Sequence, residues 1–194
     1  DDRVSRGLGD VYKRQIVSIE GRPTYRTLKT IIQGAHKCAA SIPSQQKRGH
    51  LYLTTTNAEF HAETGDWKQI PTKPPLTAPI PTGATQYQIA QANKIQEDAV
   101  KVYHSHQIAN EAIKKLFTEN IEEIYFDGIE VGSADVLDII THLKDHYYKI
   151  SSMELAKNDN QIREKWDVDT PIEQYFKKVK DCQQLAKDAG DEYT

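Results

Sequence analysis

Two histidines, His142 and His146, have the spacing that could support metal chemistry. Residues four apart lie on one face of a helix, as a pair of imidazole ligands requires. The metalloprotease pattern also needs a glutamate directly after the first histidine, and here that residue is Leu143. The sequence offers no evident third ligand, so two surface histidines on an acidic helix are the favoured interpretation. A metal-dependent hydrolase centred on this pair is the weakest of three functional hypotheses.

A second group of reactive side chains is placed for structure rather than for chemistry. His104 and His106 are two positions apart, so they cannot share a helix face. His106 falls in an apolar stripe, which favours a hydrogen-bonded core histidine over a ligand. Cys182 also lies on an apolar stripe, where cysteine behaves as a small hydrophobic residue.

The sequence motifs of common enzyme classes are missing as well. This sequence contains no G-x-x-x-x-G-K-[ST] loop, no G-x-G-x-x-G turn and no G-x-S-x-G elbow. We therefore predict no catalytic residue, no metal ligand and no cofactor, and we do not expect an enzyme.

The composition is typical of a chain that folds in water. Hydrophobic residues make up 38% of its 194 residues, and the formal net charge is −3. No run approaches the ~18 apolar residues of a membrane helix, so we expect no membrane association. Two cysteines are too few for a disulfide framework, which is typical of a reducing compartment and predicts a cytoplasmic location.

Charge is segregated along the chain. Residues 21–50 carry basic side chains and no carboxylate: Arg22, Arg26, Lys29, Lys37, Lys47 and Arg48. Residues 119–138 carry carboxylates and no lysine or arginine: Glu119, Glu122, Glu123, Asp127, Glu130, Asp135 and Asp138. We take the basic set as a candidate RNA-binding or assembly patch and the acidic set as a candidate assembly face. Two solvated faces without such a role are the plainer alternative.

The elements before residue 86 are predicted to be short. Residues 1–15 have no periodicity and resemble translated sequencing-adapter read-through, so we expect a non-native or disordered leader. A helical stripe runs from Pro23 to Pro43 through Tyr25, Leu28, Ile32, Ala35, Ala39 and Ile42. The β-branched and aromatic content of His50–Thr56 favours a short strand or a simply extended segment, and Asn57 could cap a brief helix. Residues 70–85 are proline-rich, which predicts a linker or a long loop.

Four helices are predicted after this stretch. The first is long, with one stripe formed by Ala92, Ile95, Ala99, Val102, His106, Ala109, Ile113 and Leu116. Its spacing suits a coiled coil or, more commonly, a long helix of a globular domain. Three shorter helices follow, capped by Ser133, by a Ser151 and Glu154 capping box, and by a Thr170 and Glu173 box.

These elements predict an all-α fold, built as one multi-helix bundle or as two small helical domains. The segments are a helical region at 16–69, the proline-rich linker at 70–85 and a helical region at 86–194. Two arrangements are open. Either 86–194 forms one domain with 16–69, or 133–194 forms a separate C-terminal subdomain.

The order of several short segments is similar to that of a known family. They are RPTY at 22–25, GHLYLT at 49–54, IPTGAT at 80–85, DIITHL at 138–143, ELAKND at 154–159, PIEQYF at 171–176 and AGDEYT at 189–194. Together they resemble the Gag-like capsid region of copia-type long-terminal-repeat retrotransposon polyproteins, over roughly residues 16–194.

The resemblance implies a helical, capsid-like structural protein. Such a protein self-assembles into virus-like particles that enclose the element's RNA, and this chain would be one part of a longer polyprotein. The family's zinc knuckle needs three cysteines and a histidine, whereas this chain has two cysteines in all, so its own RNA binding is expected to be weak. The rival hypothesis is a helical protein-protein interaction module unrelated to transposons.

Overall fold

The computed structural model describes residues 19–190, and within that range it contains helices and no strand. The α-helices are α1 (Tyr25–Ser41), α2 (Asn57–Thr64), α3 (Gln86–Asn120), α4 (Val136–Tyr147), α5 (Ser152–Arg163) and α6 (Ile172–Asp188). Short 3-10 turns occupy Leu51–Leu53 and Glu123–Phe126. The predicted all-α fold class is confirmed. The leader predicted at 1–15 lies outside the described residues.

The chain divides between Tyr147 and Tyr148 into two compact units. The first unit contains α1 to α4, and the second contains α5 and α6. None of the helices in residues 19–190 is long and apolar enough to cross a membrane.

Helix α1 lies at the centre of the first unit, where it packs against α3, α4 and the first 3-10 turn. Its predicted stripe is buried from Tyr25 to Ala39, while Ile42 after the helix is half-buried. Thr24 caps the helix: its hydroxyl accepts from the Thr27 amide, and the Thr27 hydroxyl accepts from the Thr24 amide. The stripe therefore identified the core face of this helix correctly.

The strand predicted at His50–Thr56 is wrong, because this segment forms the 3-10 turn Leu51–Leu53. The side chains of Leu51, Tyr52 and Leu53 are all buried, and a strand that alternates its faces could not bury three in a row against one core. The hydroxyls of Thr54 and Thr55 both donate to the Leu51 carbonyl at 3.0–3.1 Å, which stabilises the tight turn.

Three predicted helix starts are also corrected. Helix α2 is capped by Thr56 and not by Asn57, since Thr56 forms a capping box with Glu59. Ser133 does not cap α4, because its hydroxyl donates to Glu130 instead. Helix α6 begins after Pro171 without a side-chain cap, so the box predicted at Thr170 does not form.

The second unit is a small helical hairpin. The Ser151 and Glu154 capping box that opens α5 is confirmed. The buried side chain of Asn158 donates to the Cys182 carbonyl of α6 at 2.9 Å. Cys182, Leu185 and Ala186 are also buried. A buried amide needs such a partner, because an unpaired one costs roughly 1–3 kcal/mol.

Candidate functional site

The two halves of α3 differ in how much of their shared apolar stripe is covered. Ala109 and Ile113 in the C-terminal half are at most 1% exposed; Leu116 on the stripe is half-buried, and its neighbour Phe117 is fully buried. Ile95, on the same stripe in the N-terminal half, is 64% exposed. From Gln86 to Ile108 no side chain of the helix is fully buried. The N-terminal half therefore presents an apolar face that residues 19–190 leave largely uncovered.

The proline-rich segment lies against this exposed half of α3. The Gln96 side chain donates a hydrogen bond to the Pro75 carbonyl. Just before the segment, the side-chain amide of Gln46 forms two hydrogen bonds with the backbone of Gln69. Its Nε2 donates to the Gln69 carbonyl at 2.5 Å, and its Oε1 accepts from the Gln69 amide at 2.9 Å. Side-chain hydrogen bonds thus hold the proline-rich segment at Pro75 and at Gln69, the residue before it.

The segment adds to the apolar surface of α3 without covering it. Leu76 is 98% exposed and Tyr87, at the start of α3, is 76% exposed. Ile80 and Val100 are also exposed. We call residues 74–102 the overhang. Several large exposed apolar side chains thus fall within one stretch of the chain, which makes this stretch the candidate interaction surface.

A polar bridge lies where the buried half of α3 begins. The Tyr52 hydroxyl is 2.9 Å from Nδ1 of His50 and 3.1 Å from Nδ1 of His106. Nε2 of His50 is 3.2 Å from the Ser105 hydroxyl. The bridge joins the 3-10 turn to α3, and it lines an open groove of about 620 Å³ that also contains Pro43, Gln46 and Ile70.

Burial sets the proton affinities of this bridge. It raises the pKa of Tyr52 to about 12, so the phenol stays neutral. The pKa of His50 is lowered, first by burial and then by His106, against a smaller opposing effect of the Pro43 carbonyl. The pKa of His106 is also lowered by burial, while Asp135 acts in the opposite direction. Both imidazoles are therefore held neutral near pH 7.

A serine beside an imidazole could in principle be a nucleophile activated by a base. Such activation needs Nε2 of His50 to accept the Ser105 proton. The 3.2 Å contact fits either direction of donation, since the role of Nε2 depends on the tautomer of His50. In both cases the bridge joins the 3-10 turn to α3.

The basic residues predicted as a patch do not share one environment. Lys47 pairs with Asp66 at 2.9 Å, and Arg48 pairs with Glu63. Lys29 lies over the Tyr25 ring, 5.4 Å from its centroid. Arg22, Arg26 and Lys37 have exposed side chains. Two of the six predicted cations are therefore already paired with carboxylates of the α2 region.

The acidic residues are also partly engaged within the chain. The Glu122 carboxylate accepts from the Gly21 amide at 3.1 Å, so the acidic segment meets the start of the basic segment in the same molecule. Glu119 pairs with Lys115, and Lys114 reaches the Gly132 carbonyl at 3.4 Å. The remaining predicted members, Glu123, Asp127, Glu130, Asp135 and Asp138, are exposed.

The histidine pair on α4 lies on one face as predicted. The rings of His142 and His146 are 4.4 Å apart between centroids, and His146 Nδ1 bonds the His142 carbonyl at 2.9 Å. Within residues 19–190, no group of three or more His, Cys, Asp or Glu side chains is placed to hold a metal ion. Cys38 and Cys182 are both buried.

Comparison with known proteins gives no further assignment. No protein-family model, no curated protein and no solved structure matches this chain.

Sequence reasoning missed His50, Tyr52 and Ser105. His106 is hydrogen-bonded to Tyr52 as predicted, but it is half-buried and not a core residue. The other members carry no sequence signal, because the partners of His50 and Tyr52 are more than fifty residues away along the chain. The one hint in the sequence is that His50 lies two positions before Tyr52 at the start of an apolar run.

Proposed function

We propose that this chain is a structural protein that assembles with copies of itself through the overhang. The observation that carries the proposal is that Ile95 is exposed, although it lies on the same apolar stripe of α3 as the buried core residue Ile113. The resemblance to the Gag-like capsid region of copia-type retrotransposons supports a second copy as the occupant. On that basis we further propose a cytoplasmic capsid subunit that forms virus-like particles around RNA.

The overhang suits contacts that are individually weak and repeated. Burying one side chain the size of isoleucine contributes roughly 1.5–3 kcal/mol. A few such side chains must also offset the cost of association, which is of order 4–15 kcal/mol. The resulting affinity is modest, as expected for a subunit whose contacts close rings or extend lattices.

In this proposal, exposed charged residues orient one copy relative to the next. Exposed ion pairs contribute only ~0–1 kcal/mol, and Lys47 and Arg48 already have partners in the chain. Salt should therefore weaken association only in part. If the basic set binds RNA, added RNA should promote assembly, and that effect should fall steeply with salt.

Sedimentation velocity over a concentration series tests the proposal with a matched pair of variants. Ile95 is 64% exposed on the overhang, and Ile124 is 70% exposed in the second 3-10 turn. The wild type and I124E should associate reversibly, whereas I95E should remain monomeric because it places a charge in the contact. A wild type that is monomeric at every concentration, salt and RNA level would overturn self-assembly and favour the alternative, an interaction module for another protein.

A further inference from the structure

The bridge of His50, Tyr52 and His106 has a hydrogen-bond requirement that depends on protonation. The Tyr52 hydroxyl carries one hydrogen, and it faces Nδ1 of both imidazoles. With neutral imidazoles, one of these nitrogens can accept that hydrogen while the other donates to the phenol oxygen. If both imidazoles are charged, both nitrogens carry hydrogens and donate to the phenol oxygen, so the phenol hydrogen loses its imidazole acceptor. The second proton therefore leaves a buried hydroxyl without that acceptor and places two like charges beside it.

The bridge also holds a larger segment in place. His50 is fixed in the chain through its amide, which donates to the Ala39 carbonyl at 2.8 Å. The preceding loop is tied by the Ser44 hydroxyl, which donates to the Gly49 carbonyl at 2.6 Å. The same loop carries Gln46, which pairs with the Gln69 backbone at the start of the proline-rich segment. The bridge and the His50–Ser105 contact are therefore hydrogen-bonded links between residues 42–54 and α3, and the Gln46 pair connects them to the start of the proline-rich segment.

We propose that the His50, Tyr52 and His106 bridge is an acid-sensitive latch, which releases residues 42–54 and the start of the proline-rich segment from α3 when both imidazoles become protonated. The latch is independent of the proposed function, since it concerns attachment within one chain.

Other titratable groups of the described residues lie close to the latch. His36 on α1 has its Nδ1 2.8 Å from the Thr54 hydroxyl, and its own pKa is lowered chiefly by burial. Lys101 lines the groove from α3, and Tyr103 on the same helix has its ring centroid 6.4 Å from that of His106. Asp135, before α4, acts on His106. From α2, the latch is met by the apolar ring of Phe60, edge-on to Tyr52 at 6.5 Å. The lowered pKa values of both histidines agree with a closed state that resists protonation.

Hydrogen exchange at pH 7 and pH 5.5 tests the latch, with protection factors used to remove the pH dependence of intrinsic exchange. In the wild type, the opening constant of amides in residues 50–54 should rise about tenfold per pH unit below ~6.5 for each proton taken up on opening. These amides should lose protection before those of the buried half of α3.

His106→Asn is the decisive variant. The asparagine amide can replace Nδ1 and can accept from the phenol when His50 is charged, so H106N should lose little protection at pH 5.5. His104→Asn is the matched control on the exposed side of the same helix, and it should behave as the wild type does. Unchanged wild-type protection, or an equal acid loss in H106N, would overturn the latch.

A second measurement keeps the proposal testable if H106N does not fold. Proton NMR of the wild-type imidazoles should show His50 and His106 titrating one after the other, with the second step coinciding with the loss of protection. Independent titration of both, with protection retained, would contradict the latch.

Discussion

The two halves of α3 carry one apolar stripe but lie in different surroundings. On this stripe the C-terminal half supplies Ala109 and Ile113 to the core, whereas the N-terminal half leaves Ile95 exposed. Both halves follow the same three-and-four spacing. The comparison teaches that periodicity identifies a helix and its apolar face, but the rest of the fold decides what covers that face.

The largest expected effect comes from truncating the same residue type in each half. Ile113→Ala should lower the free energy of unfolding by about 2–5 kcal/mol, because it removes fully buried methyl groups and leaves a cavity. Ile95→Ala should change it by less than about 0.5 kcal/mol in the monomer. Chemical denaturation at low protein concentration measures both. Equal losses in the two variants would show that the N-terminal half is packed after all.

Acid should weaken the first unit, because three of its imidazoles are neutral in the fold. The pKa values of His36, His50 and His106 are all lowered, chiefly by burial. Below about pH 6.5 the unfolded chain therefore binds more protons than the folded one, and stability falls as pH falls. Thermal midpoints measured from pH 7.5 to pH 5 should decrease through this window. A midpoint that is constant or rises would contradict the burial of these imidazoles.

A smaller effect should follow from loosening the proline-rich segment. Gln46→Ala removes the two hydrogen bonds to the Gln69 backbone. Because this pair is solvent-exposed, the free energy of unfolding should fall by no more than about 1 kcal/mol. Tryptic cleavage after Lys68, next to the lost contact, should become faster. The neighbouring Gln45→Ala is the control. If Q45A is cleaved as fast as Q46A, the Gln46–Gln69 pair does not hold the segment.

Much of the fold could be predicted from local patterns, and the errors have identifiable causes. Stripe spacing located α1 and α3, and the Ser151 and Glu154 pair located the start of α5. Propensity failed at His50–Thr56, where three consecutive buried side chains impose a turn on residues that favour strands. Thr56 and Asn57 are both good caps, so sequence alone could not decide between them.

The candidate sites were harder to predict, because they depend on contacts between distant segments. The sequence locates the charged residues, but the fold determines that Arg48 pairs with Glu63 and that Glu122 contacts Gly21. The polar bridge needs Tyr52 and His106 to meet through packing of α1, the 3-10 turn and α3. The exposure of Ile95 depends on how the other described residues, from 19 to 190, pack around α3.

Concentration-dependent hydroxyl-radical footprinting tests most directly whether the exposed half of α3 is the contact between copies. As concentration rises, Tyr87 and Ile95 should lose reactivity, because a second copy covers them. Trp67 and Ile124 are also exposed but lie outside the overhang, so they should keep theirs. Association that protects Trp67 or Ile124 and leaves Tyr87 and Ile95 reactive would contradict the account.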